Sequence, residues 1–461
     1  MSNVINIRNK KVIFLFIVTI LLFSLVVSYG QYLETVIPTG SYPQALEYNS
    51  TNRKAYCANM GSNNVTVVDV AANSAITTIR VGSEPRALVC NSTNNKIYCA
   101  NQLSNDVTVI NGATNEAINT IPVGNRPSAL VWDSVNNKIY CANAGSNNVS
   151  VIDGTNDSVI AIINVGYYPM TLICNPTNNK IYCANMDSEN ISIIDGVTNQ
   201  VISTIPTGRT PASMCYNSTN NKVYCASWSN GRIHIIDGAT DQIIDSMIYG
   251  NSGPQALIYN KYSNQIYYTN YTDDNIKIIN GANNTIVSTI QFPVGTRPYV
   301  LTNFYPSSFI FSGNLGSNSV SVISGTSIWW TINVEYPVAL VAIWIPSAIR
   351  VYAANLWSSS ISVIRINLPG TEEARSQSQE ATSFEFYPNP ARSLLTICCP
   401  LIADHQTLRM YDVSGKLVRV EELNKSKSLK EIKLPLKNIN PGVYFLQLTN
   451  VPWIEKLVIA K

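Results

Sequence analysis

Residues 137–154 read NKIYCANAGSNNVSVIDG, and nearly the same wording stands at 95–112 and again at 179–196. Each copy contains short apolar runs, rich in Val, Ile and Tyr, separated by turns rich in Asn, Asp and Gly. Such runs are too short for helices and are typical of strands, while Asn and Asp favour tight turns. The stretch therefore predicts a repeated unit built from β-hairpins.

A Gly-x-x-Pro phrase marks the length of the repeat. Six glycines from Gly40 to Gly250 follow one another at intervals of 42 residues, Gly295 comes 45 residues later, and Glu335 stands at the glycine place after a further 40. Each unit holds four apolar runs, and four strands in about 40–45 residues is the period of a propeller blade. The prolines of the phrase count eight units: Pro43, Pro85, Pro127, Pro169, Pro211, Pro254, Pro298 and Pro337.

The two ends of the repeat region predict how the ring closes. Residues 32–38 (YLETVIP) resemble the fourth run of a unit but precede the first unit, and the eighth unit ends after its third run, at 361–366 (ISVIRI). An N-terminal strand that completes the last blade leaves no open edge in the ring. We therefore predict an all-β fold, a β-propeller of eight four-stranded blades closed by an N-terminal strand. Seven blades is the alternative if one degenerate unit packs outside the ring.

The repeat also resembles a known family. YCANAGSNNVSVIDG, together with VGxxP, is similar to the YVTN-type β-propeller repeat of bacterial and archaeal cell-surface proteins, and the similarity spans residues 31–368. Cys stands here where that family usually has Val. The resemblance implies the fold and a place at the cell surface, but no activity, because propellers host many functions.

Five of the ten cysteines occupy one place in successive units: Cys57, Cys99, Cys141, Cys183 and Cys225. Adjacent sheets lie about 10 Å apart, whereas bridged Cα atoms must lie within about 7 Å, so disulfides between blades are excluded. Bridges within a blade, Cys90–Cys99 and Cys174–Cys183, stay open. Because Cys57 and Cys141 have no such partner, we interpret the repeated cysteine as a small buried core residue.

The loops of a propeller lie on two faces. The Gly-x-x-Pro loops between blades and the loops that follow YCAN share one face, which we call the variable face because its residues differ from unit to unit. The opposite face, called the asparagine face, repeats turns such as NSTNNK and DGATN, which we interpret as hairpin formers. Arg and Tyr are frequent anchors of binding interfaces. The candidate ligand-binding residues are therefore those of the variable face: Arg86, Arg126, Tyr167, Tyr168, Arg209, Arg297 and Tyr336.

The sequence gives little support to catalysis. It has two histidines, His234 and His405, and no CxxC pair, so we predict no catalytic residue, no metal site and no cofactor. Asp69, Asp153, Asp195 and Asp237 recur at one turn and are interpreted as turn formers. With Lys+Arg 31 against Asp+Glu 28, the net charge of +3 is too small to favour nucleic-acid binding.

The N-terminus predicts an exported protein. Arg8, Lys10 and Lys11 precede an apolar run at 12–27, and small residues lie before a cleavage site at Gln31, so residues 1–30 are interpreted as a signal peptide. The run of 16 residues is shorter than the ~20 that span a bilayer. No later stretch is expected to cross a membrane.

The C-terminal part predicts a linker at 369–383 and a small immunoglobulin-like β-sandwich at 384–461. The series YPNPA, YDVSGKLV, NPGVYFLQL and KLVIAK resembles the C-terminal sorting domain of type IX secretion cargo, type A. This resemblance implies export, recognition by the type IX machinery, and release or attachment at the outer cell surface. The residues that carry it are Pro388, Asn389, Pro390, Asp412, Gly415, Gly442 and Lys456.

Together these observations predict a secreted or cell-surface propeller that acts as a binding or adhesion scaffold for a glycan, a protein or an envelope component. The alternative is a secreted hydrolase, lyase or lactonase-like enzyme with its site at the channel mouth. Such an enzyme needs carboxylates or a metal that converge at the axis. Among the carboxylates at the mouth, Glu84 and Asp187 lie in different sets of loops.

Overall fold

The computed structural model describes residues 31–248, 253–305, 307–345 and 348–367, and in the C-terminal part 385–387, 394–398, 406–412, 417–423, 431–436, 439–448 and 454–459. The expected signal peptide (1–30) and linker (369–383) lie outside these residues. The chain divides into two compact units, Met1–Pro369 and Gly370–Lys461.

The first unit is a β-propeller of eight four-stranded antiparallel sheets, as predicted. The first strand, β1, spans Gln31–Pro38. The strands of the first four blades follow in chain order, from the innermost to the outermost of each blade. Blade 1 contains β2 (Pro43–Asn49), β3 (Lys54–Asn59), β4 (Asn64–Asp69) and β5 (Ser74–Arg80); blade 2 contains β6 (Pro85–Asn91), β7 (Lys96–Asn101), β8 (Asp106–Asn111) and β9 (Glu116–Pro122); blade 3 contains β10 (Pro127–Asp133), β11 (Lys138–Asn143), β12 (Asn148–Asp153) and β13 (Ser158–Asn164); blade 4 contains β14 (Pro169–Asn175), β15 (Lys180–Asn185), β16 (Asn190–Asp195) and β17 (Val201–Pro206).

The remaining four blades repeat this order, with one short 3₁₀ helix, Trp228–Asn230, in blade 5. Blade 5 contains β18 (Pro211–Asn217), β19 (Lys222–Ser227), β20 (Arg232–Asp237) and β21 (Ile243–Ile248); blade 6 contains β22 (Pro254–Asn260), β23 (Gln265–Asn270), β24 (Asn275–Asn280) and β25 (Ile286–Gln291); blade 7 contains β26 (Pro298–Asn303), β27 (Phe309–Asn314), β28 (Ser319–Ser324) and β29 (Ser327–Asn333); blade 8 contains β30 (Pro337–Ile345), β31 (Ala348–Asn355), β32 (Ser360–Asn367) and β1.

The core of the propeller lies between the blades. At the junction of blades 3 and 4, for example, Tyr140 and Val151 pack against Ile181 and Cys183, and all four are fully buried. A comparable apolar cluster fills each of the eight junctions. A single blade leaves one apolar face uncovered, so only the closed ring removes all of this surface from water.

The outer strand of every blade contains a β-bulge, where one residue is left without a partner across the ladder. In blades 1–7 the bulged residue is apolar and half exposed, for example Ile76, Ile118 and Trp329. In blade 8 it is Glu34 of β1. Bulges at edge strands hinder pairing with the edges of other molecules.

The ring closes where β1 pairs antiparallel with β32, from Gln31 opposite Ile366 to Pro38 opposite Ser360, which confirms the predicted closure. The bulged Glu34 accepts two hydrogen bonds from the Arg350 guanidinium, from Nε at 2.7 Å and Nη2 at 2.6 Å. A second guanidinium, that of Arg365, lies 3.6 Å from the same carboxylate. Arg350 also donates to the carbonyl of Val70 in blade 1. One side chain therefore joins the N-terminal strand, blade 8 and blade 1.

The second unit consists of two antiparallel sheets. Three strands, β33 (Glu385–Tyr387), β34 (Leu394–Cys398) and β37 (Glu431–Pro435), form one sheet. Four strands form the other, in the order β36 (Leu417–Leu423), β35 (Gln406–Asp412), β38 (Gly442–Leu448) and β39 (Ile454–Ile459). Leu408, Met410 and Leu436 are buried in this unit. The small all-β domain predicted here is thus confirmed.

Candidate ligand-binding face

Hydrogen bonds join the two sets of loops on the variable face. In blade 1 the N–H of Met60, which follows YCAN, donates to the carbonyl of Tyr42 at 2.9 Å, and the N–H of Gly61 donates to the carbonyl of Ser41 at 2.9 Å. Blades 2, 3, 4 and 7 repeat both contacts. The Gly-x-x-Pro loops and the post-YCAN loops therefore form one continuous surface.

The residue before most of the prolines of this face has an unfavourable backbone conformation. Seven of the eight such residues have a positive φ, between 50° and 62°, and the eighth is Gly253, before Pro254, which does not. Positive φ is uncommon outside Gly, Asn and Asp, and strains a bulky side chain. Yet none of the seven is Gly, Asn or Asp: they are Tyr42, Glu84, Arg126, Tyr168, Thr210, Arg297 and Tyr336.

The rest of the propeller obeys the usual preference. Of the nineteen other non-glycine residues with positive φ in the described chain, sixteen are Asn or Asp. The chain thus mostly uses Asn or Asp, which tolerate positive φ, in its other turns, but Tyr, Arg, Glu or Thr before seven of the eight prolines. Backbone preference does not explain this difference, because Asn in the same loops would relieve the strain.

Side chains from the preceding blade hold these strained residues in place. Asn105 Oδ1 accepts the N–H of Arg126 at 2.8 Å, and Asn147 Oδ1 accepts that of Tyr168 at 3.0 Å. Asp274 Oδ1 holds the N–H of Arg297 at 2.6 Å. Because the loop backbone is fixed by its neighbours, the side chains before the prolines are presented in defined directions.

The predicted site residues do not form one cluster. They are spread around the ring over six repeats, and only Tyr167 and Tyr168 share one. Arg86 is the second residue of β6 and donates to Gln102 Oε1 at 3.4 Å, whereas Tyr167 is 66% exposed. Arg209 lies 4.0 Å from Glu189, with both side chains largely in solvent, so this pair adds little stability.

Some candidate residues do contact aromatic side chains, and these contacts form two groups on the variable face. The Arg297 guanidinium lies 5.6 Å from the ring centre of Tyr271, which in turn meets the ring of Tyr299 edge-on at 6.3 Å. At the closure, Trp357 contacts Tyr42 at 5.6 Å and Tyr336 at 5.7 Å between ring centres. Sequence reasoning missed Trp357, although its place after YAAN puts it in the post-YCAN loop.

The asparagine face has a structural role beyond its hairpins. Lys96 Nζ reaches from blade 2 to Asp157 of blade 3 at 2.7 Å, and Tyr98 Oη donates to the same carboxylate at 2.6 Å. The interpretation of these turns as hairpin formers alone was therefore incomplete. The tyrosine contact recurs at six of the eight junctions: Tyr56–Asn115, Tyr98–Asp157, Tyr140–Asn199, Tyr182–Asp241, Tyr224–Asn284 and Tyr352–Asn73.

The recurring aspartates of this face are turn formers, as predicted. Asp69 Oδ1 accepts the N–H groups of Ala71 at 2.7 Å and Ala72 at 2.9 Å. Backbone hydrogen bonds from the following turn lower the pKa of Asp195 and Asp237. These carboxylates are satisfied by their own turns.

Glu47 in the inner strand β2 is an acidic residue at a place that holds Val89 and Val131 in the next two blades. Burial raises the pKa of this carboxyl to about 7, against a hydrogen bond from the backbone of Cys90. Near pH 7 a large fraction of Glu47 is therefore a neutral acid. Within the described chain, no group of three or more His, Cys, Asp or Glu side chains is placed to hold a metal ion.

The cysteines of the propeller are free thiols. Opposite Cys99 in the ladder stands Leu88, and opposite Cys90 stands Ile97, so the pair Cys90–Cys99 is not bridged. Cys174 and Cys183 are likewise free. Burial raises the pKa of all five motif cysteines, to about 12 for Cys225. Their interpretation as buried core residues is confirmed.

His234 is a buried packing residue, and it is one of two replacements that occur together in blade 5. In blades 1–4, 7 and 8 the Asn at the end of the second strand donates to a Thr or Ser in the next strand, as Asn59 does to Thr66 at 2.9 Å. Blade 5 replaces the Asn by Ser227 and the hydroxyl residue by His234, which is 5% exposed and contacts Ser246 Oγ at 2.8 Å. Burial lowers the pKa of His234. Ser227 is smaller than the Asn of those blades, and the larger His234 takes the place of their hydroxyl residue, opposite Cys225.

In the C-terminal unit the structure describes three of the seven motif residues. Asp412 ends β35, Gly442 begins β38, and Lys456 of β39 stands opposite Phe445. Pro388, Asn389, Pro390 and Gly415 lie outside the described residues. None of the helices in the described ranges has the length and apolar character that a membrane crossing requires.

Comparison with solved structures supports the propeller as a fold only. The computationally designed Ika8 protein is 14% identical, with a TM-score of 0.61 over 73% of this chain and 100% of that chain. Hydrazine synthase of Kuenenia stuttgartiensis is 15% identical, with a TM-score of 0.51 over 70% of this chain and 96% of that chain. No curated protein matches this chain.

The C-terminal unit matches a family model. The model describes a secretion system C-terminal sorting domain, and the match covers residues 385–460. These bounds agree with the two sheets of the second unit and with the motif series of the sequence. Residues 385–460 are therefore a sorting domain recognised by the type IX secretion machinery, and the protein that carries them is secreted or attached to the outer cell surface.

Proposed function

We propose that this protein is a non-enzymatic binding or adhesion scaffold, displayed at the cell surface by its sorting domain, that binds its ligand through the variable face. The proposal includes export by the general secretory route through residues 1–30, a type A sorting signal, and membership of the propeller in the YVTN-type repeat class. The ligand is a glycan, a protein or an envelope component.

The strained residues before the prolines carry this proposal. Retaining Tyr, Arg, Glu or Thr at positive φ costs of the order of 1 kcal/mol or more at each place. Strain of this kind is characteristic of functional sites, where a side chain must be presented in one direction. The asparagine face, with its inter-blade contacts, supplies the rigidity that such a surface needs.

The test replaces strained residues by the residue that the other turns use. The triple variant Arg126→Asn, Tyr168→Asn and Arg297→Asn should unfold at the same temperature as the natural protein or at a higher one, because Asn tolerates positive φ. Its binding to a glycan array and to isolated cell envelopes should be lost. Calorimetry and a binding assay on the full chain measure the two effects separately.

Arg53 supplies the matched control. It has a φ of 56°, close to the 53° of Arg126, but lies in the first hairpin of blade 1, on the asparagine face. Arg53→Asn should relieve the same strain and leave binding unchanged. If Arg53→Asn abolishes binding while the triple variant binds normally, the variable face is the wrong face.

A further inference from the structure

Three aromatic side chains meet on the variable face where the ring closes. Tyr42 precedes blade 1, Tyr336 precedes blade 8, and Trp357 lies in the post-YCAN loop of blade 8. The ring of Trp357 contacts Tyr42 at 5.6 Å with an interplanar angle of 81°, and Tyr336 at 5.7 Å with an angle of 57°. Trp357 is 63% exposed and Tyr42 is 42% exposed. The three rings form one surface cluster, called the closure aromatics below.

The propeller does not need an aromatic residue at this place. Other units carry Gly61, Leu103 or Asp187 at the position of Trp357 and form the same loop. In blade 1 the ring of Tyr42 lies so close to Gly61 that an added Cβ would overlap it. Because Trp357 leaves most of its surface in water, its burial contributes little to the fold.

The size of the cluster argues against a protein partner. Large aromatic side chains have about 150–250 Å² each to bury, so the exposed parts of these rings offer roughly 200–300 Å². A stable protein interface needs about 800 Å² from each partner. The cluster matches one or two rings of a small ligand unit.

The geometry also restricts the charge of the ligand. The ring of Trp357 contacts both tyrosine rings directly, with centres less than 6 Å apart, so no cation fits between Trp357 and either tyrosine. The residues that adjoin the three rings in the chain include Ser41, Ser358 and Glu335 but neither Lys nor Arg, which disfavours an anion. The surface suits an uncharged ligand with an apolar face and a rim of hydroxyl groups.

We propose that the closure aromatics are a carbohydrate subsite, where the C–H face of a neutral pyranose ring stacks on the exposed ring of Trp357 and its edge meets the nearly perpendicular ring of Tyr42. The tyrosine hydroxyls, and the Ser41 and Ser358 side chains that adjoin the rings in the chain, supply hydrogen-bond partners of the kind that sugar hydroxyls need. This subsite rests on the proposed function, since it makes one part of the variable face a glycan site.

The experiment screens the full chain against an array of neutral oligosaccharides and measures the strongest ligand by calorimetric titration. Trp357→Ala should weaken binding at least about ten-fold, because aromatic anchors dominate small interfaces. Trp329→Ala is the matched control: Trp329 is 47% exposed but lies in the outer strand of blade 7. It should bind as the natural protein does. Equal binding by the two variants, or no binding of any neutral oligosaccharide by the natural chain, overturns the subsite.

A second measurement separates this proposal from the general one. Binding to isolated cell envelopes is compared before and after periodate oxidation of their glycans and after protease treatment. If the triple variant Arg126→Asn, Tyr168→Asn and Arg297→Asn loses envelope binding while Trp357→Ala keeps it, the carbohydrate subsite is wrong, but the proposal that the ligand binds through the variable face is supported. If binding resists periodate but not protease, the ligand is a protein and the subsite is again wrong.

Discussion

Glu34 offers the sharpest test of how the ring is held closed. Replacing it by Ile gives blade 8 the residue that blades 1–5 carry at the same bulge. The change removes the carboxylate from two guanidinium groups, and the Arg350 side chain is only 9% exposed. Removing one partner of a buried ion pair costs about 3–5 kcal/mol.

We expect the lower end of this range for Glu34→Ile, about 3 kcal/mol. Arg350 keeps its hydrogen bond to the carbonyl of Val70, and Arg365 keeps one to Asn367 Oδ1 at 2.9 Å. With an unfolding entropy of about 2 cal/mol/K per residue over the propeller, this loss lowers the melting temperature by about 4 °C. Differential scanning calorimetry of the full chain at pH 7 measures the propeller transition.

Two further variants make the result specific. Arg350→Lys introduces the residue that blades 1–5 carry at this position, such as Lys54 and Lys96, so the double variant Glu34→Ile with Arg350→Lys should recover part of the loss, by about 1 kcal/mol or more. Glu116→Gln changes an exposed carboxylate in another outer strand and should have no effect. A melting temperature of Glu34→Ile equal to that of the natural protein would refute the reasoning.

The closure should also weaken in acid. Burial alone would raise the pKa of Glu34, but the hydrogen bonds and charges of Arg350 and Arg365 outweigh it and hold this pKa below the ordinary value of 4.5. The native carboxyl thus binds fewer protons than the unfolded one, so its contribution is complete above pH 4.5 and is lost as the pH falls through the native pKa. The difference between the natural protein and Glu34→Ile should shrink below pH 4.

Two other predictions concern buried titratable groups. Because the pKa of Glu47 is raised from 4.5 to about 7, the native protein holds a proton that the unfolded chain has lost, so the free energy of unfolding falls as the pH rises from 5 to 8. Glu47→Gln should remove this decrease of roughly 2–3 kcal/mol, measured by denaturant titrations at several pH values. An unchanged pH dependence in the variant would contradict the prediction. The five motif cysteines are fully buried, so a maleimide at pH 7 should label none of them within minutes before unfolding and all of them afterwards; peptide mapping that finds native labelling at Cys99 or Cys141 would contradict their place in the core.

Much of the fold could be predicted from the sequence, because the strand and turn pattern of one blade is repeated eight times along the chain. The Gly-x-x-Pro phrase and the YCAN phrase each mark one blade, so even the degraded eighth unit, with Glu335 at the glycine place, could be counted. The unmatched fourth strand at 32–38 predicted the closure for the same reason.

What the sequence did not reveal depends on contacts between units. The bulge that brings Glu34 to Arg350 joins residues more than 300 positions apart, and no local pattern indicates it. Trp357 and Tyr42 become neighbours only through the same closure. The asparagine turns could be explained from the sequence as hairpin formers alone, since Asn49 Oδ1 accepts the N–H of Thr51 in its own turn. The second contact of the same side chain, in which Asn49 Nδ2 donates to Asn95 of the next blade, has no signal in the local sequence.

The pairing of β1 with β32 has a consequence for the timing of folding during export. The outermost strand of blade 8 is the first of the propeller to be synthesised, and its partner β32 is the last. Bringing together ends separated by more than 300 residues costs roughly 5 kcal/mol of chain entropy, and long-range pairings of this kind fold slowly. Until residues 360–367 have emerged, the unpaired edge of β1 is open to wrong partners. The propeller therefore keeps one open edge until its last strand, β32, has been synthesised, and only then can the ring close.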